Sequence, residues 1–376
     1  MNLPGTFRVG SLLGIPLQIN VSWFVAFALI TISLAAGQLP DMYPRWDETT
    51  LMVVGVTTSL LFFISVVLHE LAHSVIALMI GIPVRSITLF IFGGVAHIAR
   101  DPAEPAGELL MAAMGPVASF ALAAGFAMLW AAARGVHEPI TAMAGLLAGI
   151  NFSLGAFNLI PGFPLDGGRV LRSILWWGTG NHRTATHIAG WFGRSLALFL
   201  IVLGVAVAMS RPAAMLSGVW MIAVGWFVNQ AVTGNMRQLR FRESLNGYLA
   251  RDLMASNLHL LPPGLTIQEA VSRFFGATGW RWFLVAEGNT LRGLVTLSDI
   301  GRVPKRDWSN TLVRSVMTAA DDLTTVAPDW PGPDVLDTMQ EKGYQQTPVV
   351  QNGQLLGVVT AVNLFEAART RRELGF

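Results

Sequence analysis

His69, Glu70 and His73 stand in the order His-Glu-x-x-His, inside a run that is otherwise uncharged from Leu51 to about Ile80. On a helix the i, i+4 spacing puts both imidazoles on one face, one turn apart. That is what two ligands of a single tetrahedral Zn²⁺ require, and the intervening glutamate can reach water held beside them. Three ionisable groups within five positions of an apolar span are costly and mark functional sites; the plainer alternative is a hydrogen-bonded polar cluster or a proton relay inside a helix bundle. A catalytic zinc takes a third protein ligand and keeps one position open. Asp166 is the only carboxylate near the end of a later apolar run, in Asn158-Leu159-Ile160-Pro161-Gly162-Phe163-Pro164-Leu165-Asp166-Gly167-Gly168. Its prolines and glycines break the helix and let the carboxylate turn inward. The Asn158 amide could donate to a substrate carbonyl as charge develops on the oxygen, or could equally pack one helix against another. In this scheme His69, His73 and Asp166 hold a Zn²⁺ that acidifies water and polarises a scissile carbonyl. Glu70 takes the water's proton and delivers it to the leaving amine. The chemistry expected is hydrolysis of a peptide bond in or near a bilayer.

The elements that must position these groups follow from composition. Of 376 residues, 53% are hydrophobic and 13% charged, against about 25% charged in soluble domains. The deficit is local: residues 1–242 hold 13 Arg, no Lys and 9 Asp+Glu, whereas residues 243–376 hold 12 Lys+Arg and 14 Asp+Glu. Six stretches approach the roughly 20 apolar residues of a transmembrane helix: Leu17 to Gly37, Leu51 to about Ile80, Leu109 to Ala133, Pro139 to about Pro161, about Thr184 to Ser210, and Pro212 to Met236. The first is longer than a usual signal-peptide core and reads as a retained span. Counting Arg194 as interfacial, ten arginines lie on the side shared by the N-terminus, the 81–108 loop, the 161–183 loop and the segment after Met236, against three opposite. That asymmetry predicts a multi-pass protein of the plasma membrane with both termini cytoplasmic. From His73 to Ile80 is about 10 Å of helix, so the site is expected in the cytoplasmic half of the bilayer.

Between the second and third spans, Val84 to Ala99 is rich in β-branched and aromatic residues around Gly93-Gly94, a hairpin signature. It is too apolar for an exposed turn and is expected to lie against or dip into the bilayer, shielded by protein; the alternative is a short connector without a role. The predicted fold class is therefore a polytopic α-helical membrane domain of six transmembrane helices with a membrane-associated β-hairpin, over residues 1–242, followed by a soluble α/β domain over 243–376. A net charge of +2 with dispersed basic residues argues against nucleic acid as a partner. The absence of cysteine removes disulfides and thiolate ligands together.

With Phe7-Arg8-Val9-Gly10, Phe92-Gly93-Gly94 and Gly115-Pro116 added to the His69–His73 and Asn158–Gly168 motifs, most of the first 240 residues resemble the site-2 protease family of intramembrane zinc metalloproteases. The resemblance implies one Zn²⁺ per chain on His69, His73 and Asp166, with Glu70 catalytic. It also implies a membrane-spanning protein substrate, often a regulator or a leftover signal peptide, cut in its transmembrane segment after an earlier trimming cleavage. The hairpin near Gly93 and Gly94 would then help present substrate as an added strand, and strand pairing has independent physical sense because it exposes the scissile carbonyl.

From Leu249 the chain repeats with a period of about 63: Asp252-Leu253-Met254 aligns with Ser315-Val316-Met317, and Gly293 to Asp299 with Gly357 to Asn363, as duplicated units do. The two units, about 249–305 and 312–372, each read as helix, strand, strand, helix, and together resemble a tandem CBS module. That resemblance implies contacts to the ribose of an adenine nucleotide from Thr296 with Asp299 and from Thr360 with Asn363. Asn363 stands where an aspartate is expected, which puts the second site in doubt. A ligand there would regulate the membrane part; the alternative is a purely structural pair or one that forms a homodimer. A competing class is a transporter or channel gated by the CBS pair, which would more often carry internal repeats in its membrane part; none is visible across the six spans. A catalytically silent relative is a third reading, and the intact Glu70 speaks against it.

Overall fold

A computed structural model describes residues 5–256, 258, 260–278 and 280–373, and the chain divides into two compact units, Met1–Met236 and Arg237–Phe376. The first unit begins with an antiparallel hairpin of β1 (Thr6–Leu12) and β2 (Ile15–Asn20). The first span, Ser22–Met42, consists of α1 (Ser22–Ser33), a π-helical turn over Leu34–Gln38 and α2 (Leu39–Met42). It starts at Ser22 rather than at the expected Leu17, because Leu17, Gln18 and Ile19 pair in parallel with Ile87, Thr88 and Leu89 of β3 (Val84–Phe90). A largely apolar strand that runs straight into a helix cannot be told from a longer helix by apolarity alone.

The second span, α3 (Glu48–Met79), is capped by Asp47, whose carboxylate accepts from the Thr50 amide at 3.3 Å and from its hydroxyl at 2.5 Å. After it come β3 and β4 (Gly93–Ile98), and the sheet order is β1-β2-β3-β4. The expected hairpin is thus half of a four-stranded sheet, with β4 at an edge. Leu89 packs with Val66 and Val67 of α3, which seats the sheet on the helix that carries the histidines. Next are α4 (Pro105–Ala133) and α5 (Glu138–Asn158). The stretch expected to be a loop over 161–183 instead contains an amphipathic helix, α6 (Asp166–Thr179). Its start is hidden in sequence by the Pro-Gly density just before it, which reads as a breaker. The last two helices are α7 (His182–Ser210) and α8 (Met215–Ser244). Among the described residues six helices are long and apolar enough to cross a membrane, namely Ser22–Met42, α3, α4, α5, α7 and α8.

The second unit holds a six-stranded sheet of β5 (Leu260–Leu261), β6 (Trp282–Glu287), β7 (Thr290–Thr296), β8 (Thr318–Ala319), β9 (Gln346–Gln351) and β10 (Gln354–Thr360). The order is β5-β6-β7-β10-β9, with β8 on β7. The two hairpins, β6-β7 and β9-β10, are the repeated units, and they meet at the centre through β7 and β10. Each repeat buries its own cluster, one around Phe283 and Val295, the other around Val349 and Val359.

Leu89 is only 3% exposed, so Leu89→Ala is expected to destabilise the membrane unit by about 3 kcal/mol. Unfolding of the full chain in detergent measures it; an unchanged midpoint would contradict the packing of the sheet on α3.

Candidate metal centre

His69 and His73, 4% and 6% exposed, lie one turn apart on α3. α4 runs directly against them with Met111, Gly115 and Ser119 on one helical face, at the i, i+4, i+8 spacing. The Met111 carbonyl accepts from His73 Nδ1 at 2.7 Å, and Ser119 Oγ lies 2.9 Å from His69 Nδ1. A carbonyl can only accept, so the proton of a neutral His73 ring sits on Nδ1 and its Nε2 keeps the lone pair. Gly115 permits this approach, since a Cβ there would collide with both imidazoles.

Asp166 opens α6 and brings Oδ2 to 3.1 Å from His69 Nε2 and 3.2 Å from His73 Nε2; the two Nε2 atoms are 3.3 Å apart. Bonds of 2.0–2.1 Å at tetrahedral angles imply ligand atoms about 3.3 Å from one another, so the three edges suit a single ion of zinc's size. Among the described residues this is the one group of three histidine or carboxylate ligand atoms so close together.

Glu70 is half-buried beside these groups, and its Oε2 accepts from the Ala96 amide of β4 at 3.0 Å. A Cβ on Gly94 would lie 2.6 Å from Glu70 Cγ, and Gly93 has φ +131°; the first glycine makes room for the glutamate, the second supplies a backbone turn open only to glycine. Asn158 spends one amide hydrogen on the Leu154 carbonyl of its own helix, at 3.0 Å, and lines the same pocket. That pocket encloses about 320 Å³ and is also lined by His69, Glu70, His73, Gly94 and Asp166.

Sequence reasoning missed the groups behind this site. Ser119 and the Met111 carbonyl carry no signal of their own. Arg169 and Arg172 counted only as markers of membrane side, whereas they form an ion-pair network with Asp101 and Glu108. The signal that could have found it is Glu108 at the start of an apolar span together with arginines three and six positions after Asp166.

In the second unit Thr296 and Asp299 form a reciprocal helix cap: the Thr296 hydroxyl donates to Asp299 Oδ2 at 2.7 Å and accepts from the Asp299 amide at 3.3 Å. Thr360 and Asn363 repeat the pattern at 2.6 and 3.2 Å. Thr360 and Asn363 also line a cavity of about 420 Å³ with Trp280, Arg281 and Trp282, and Thr296 and Asp299 do not. The cavity is thus lined from both repeats, and of the two threonine pairs it takes the one with the asparagine.

Six apolar helices in one unit with a buried His-His-Asp cluster and an adjacent glutamate are the features of a membrane-embedded metalloprotease. Residues 57–145 and 131–203 match the profile of peptidase family M50, and residues 250–304 and 313–370 that of the CBS domain. A Synechocystis relative named as a zinc metalloprotease is 35% identical over 371 residues, which cover 96% of this chain and 95% of its own. A Mycobacterium tuberculosis relative, also named as a zinc metalloprotease, is 30% identical over 356 residues, 94% and 90% of the two chains. A solved site-2 protease from Methanocaldococcus jannaschii aligns at 29% identity with a TM-score of 0.43, covering 61% of this chain and 94% of that one. On the full-length identity to the first two relatives, the chain belongs to the site-2 protease family of zinc metalloproteases, peptidase family M50, and it carries a CBS pair in the same polypeptide.

Gly115→Ala is expected to push the imidazoles out of line and leave the purified chain with little bound metal. Ser119→Ala should weaken metal binding by about 10-fold or more, as loss of a partner to a ligating histidine does. Metal analysis after dialysis at controlled free Zn²⁺ checks both.

Proposed function

We propose that the protein is an intramembrane endopeptidase that cuts transmembrane segments of membrane-tethered proteins, with one Zn²⁺ held by His69, His73 and Asp166. The observation that carries this reading is the convergence of three ligand atoms within 3.3 Å beside Glu70, in a pocket bordered by the β4 edge. When bound, the ion supplies Lewis acidity, which polarises a carbonyl and acidifies water. Glu70 acts as general base toward that water and as general acid toward the leaving amine. Its carboxylate is kept aimed by the Ala96 amide. Substrate added as a strand along β4 would bring an extended peptide to the pocket, with Gly93 and Gly94 leaving that edge uncrowded. Asn158 has a second amide hydrogen for the oxygen on which charge develops. Membership of the family supports a role in regulated intramembrane proteolysis, in which a substrate is cut after an earlier cleavage has trimmed it. Both termini and the CBS pair lie in the cytoplasm in this reading, which the arginine asymmetry supports.

The CBS pair binds an adenine nucleotide in the cavity at Thr360 and Asn363, where Trp282 offers an aromatic face and Arg281 a cation, and occupancy changes the rate of cleavage. Two chains pair through these domains.

On a tethered single-span reporter, Glu70→Ala is expected to lower cleavage by about 10²–10⁴-fold with zinc content unchanged, and a zinc chelator should stop the wild type. Equal turnover in all three conditions would sink the protease reading. AMP or ATP is expected to raise the melting temperature of the full chain and alter reporter cleavage, and Thr360→Ala should remove both effects; no response in the wild type would leave the pair a structural or dimerising module.

A further inference from the structure

We infer that the buried ion pair of Glu108 and Arg172 is a positioning element of the metal centre, which sets the register of α6 against α4 and so holds the Asp166 carboxylate on the two histidines. Glu108 is 1% exposed and Arg172 6%. Arg172 donates from both Nε, at 2.6 Å, and Nη2 to the same oxygen of Glu108, and from Nη2 to Asp101 at 3.1 Å. Arg169 joins through Asp101 at 3.3 Å. Two carboxylates face two guanidinium groups, so the cluster is neutral as a whole. Neither Glu108 nor Arg172 lines the pocket, and no step of the proposed hydrolysis uses them.

Their place on the helices gives them work to do. Glu108, Met111, Gly115 and Ser119 follow one another at spacings of three, four and four, a single stripe along α4. The same stripe therefore fixes the rings of His73 and His69 and, one turn away, grips α6. On α6, Asp166 and Arg172 are separated by less than two turns of one short helix, so a rotation of α6 that loosens the arginine also swings the carboxylate. Gly167 and Gly168 pack α6 against the backbone of 159–163, which fixes how near the helix lies. A directional ion pair fixes its rotation as well. Adhesion alone would not need a buried charge, since well-packed apolar side chains stabilise as much or more. Oε2 of Glu108 has no hydrogen-bond partner among the described residues, so the carboxylate is not saturated by them; what it gains is direction toward Arg172.

The inference rests on His69, His73 and Asp166 being metal ligands. Its test uses full-length Glu108→Gln and Arg172→Lys, the second keeping the charge in case the first does not fold. Zn²⁺ affinity is read by competition with a chromogenic chelator, ligand geometry from the visible spectrum of the Co²⁺-loaded chain, and stability from melting of the metal-stripped chain. Both variants are expected to bind Zn²⁺ about 10–100-fold more weakly with a shifted Co²⁺ band. In an Asp166→Ala background Glu108→Gln should add no further loss. Wild-type affinity and spectrum in the variants, an equal loss in the Asp166→Ala background, or lowered melting without lowered affinity would each overturn the inference while leaving the metal site standing. A wild type that binds no Zn²⁺ would overturn the metal site and this inference together.

Discussion

At Gly115 the backbone of α4 passes so close to the rings of His69 and His73 that no side chain fits between, and the rest of the membrane unit is built on that approach. A pair of neutral imidazoles with outward lone pairs needs an acceptor for each Nδ1 proton. Inside a bilayer, water cannot be relied on to provide it. The Met111 carbonyl and Ser119 hydroxyl do so one turn to either side of the glycine. A larger residue would separate the helices and leave both rings unsupported at once. Small residues are the usual means of bringing helices together in lipid; here the closeness also fixes which nitrogen of His73 is free.

The sheet meets the same constraint from the other direction. Non-helical backbone at membrane depth survives only where its polar groups are shielded and paired. β1 and β2 cover one side of β3, and β4 covers the other. The exposed rim of β4 gives one amide to Glu70 and faces the pocket, so the unpaired edge that most proteins blunt is here turned toward the reactive groups.

How much of this can be read from the sequence depends on how local each signal is. His69, Glu70 and His73 stand out because three ionisable groups at helical spacing interrupt an apolar run, and Asp166 because it is alone at a broken helix end; the structure brings His69, His73 and Asp166 to one point. Glu108 and Arg172 lie 64 residues apart, and each by itself looks like a charge that ends a helix near the membrane surface. β2 is hidden because apolar residues serve a strand and a span equally. α6 is hidden because prolines and glycines precede it. In the second unit the repeat is plain, but the sequence weakens the asparagine-bearing pair, and the cavity, lined from both repeats, reaches that pair. A pocket depends on what neighbouring strands leave empty, and no single position encodes that.

The parallel pairing of β2 with β3 joins residues 70 apart, such as Gln18 and Thr88, across two intervening spans. A chain can return to a parallel neighbour on the same face only after an even number of crossings, so the sheet cannot close before α3 has been threaded. Asp166 follows later still, behind four of the six spans. During synthesis the His-Glu-x-x-His helix therefore enters the bilayer without the strand that steadies its glutamate and without its third candidate ligand. The order of translation thus supplies the strand beside Glu70 and the third candidate ligand only after the His-Glu-x-x-His helix has been made.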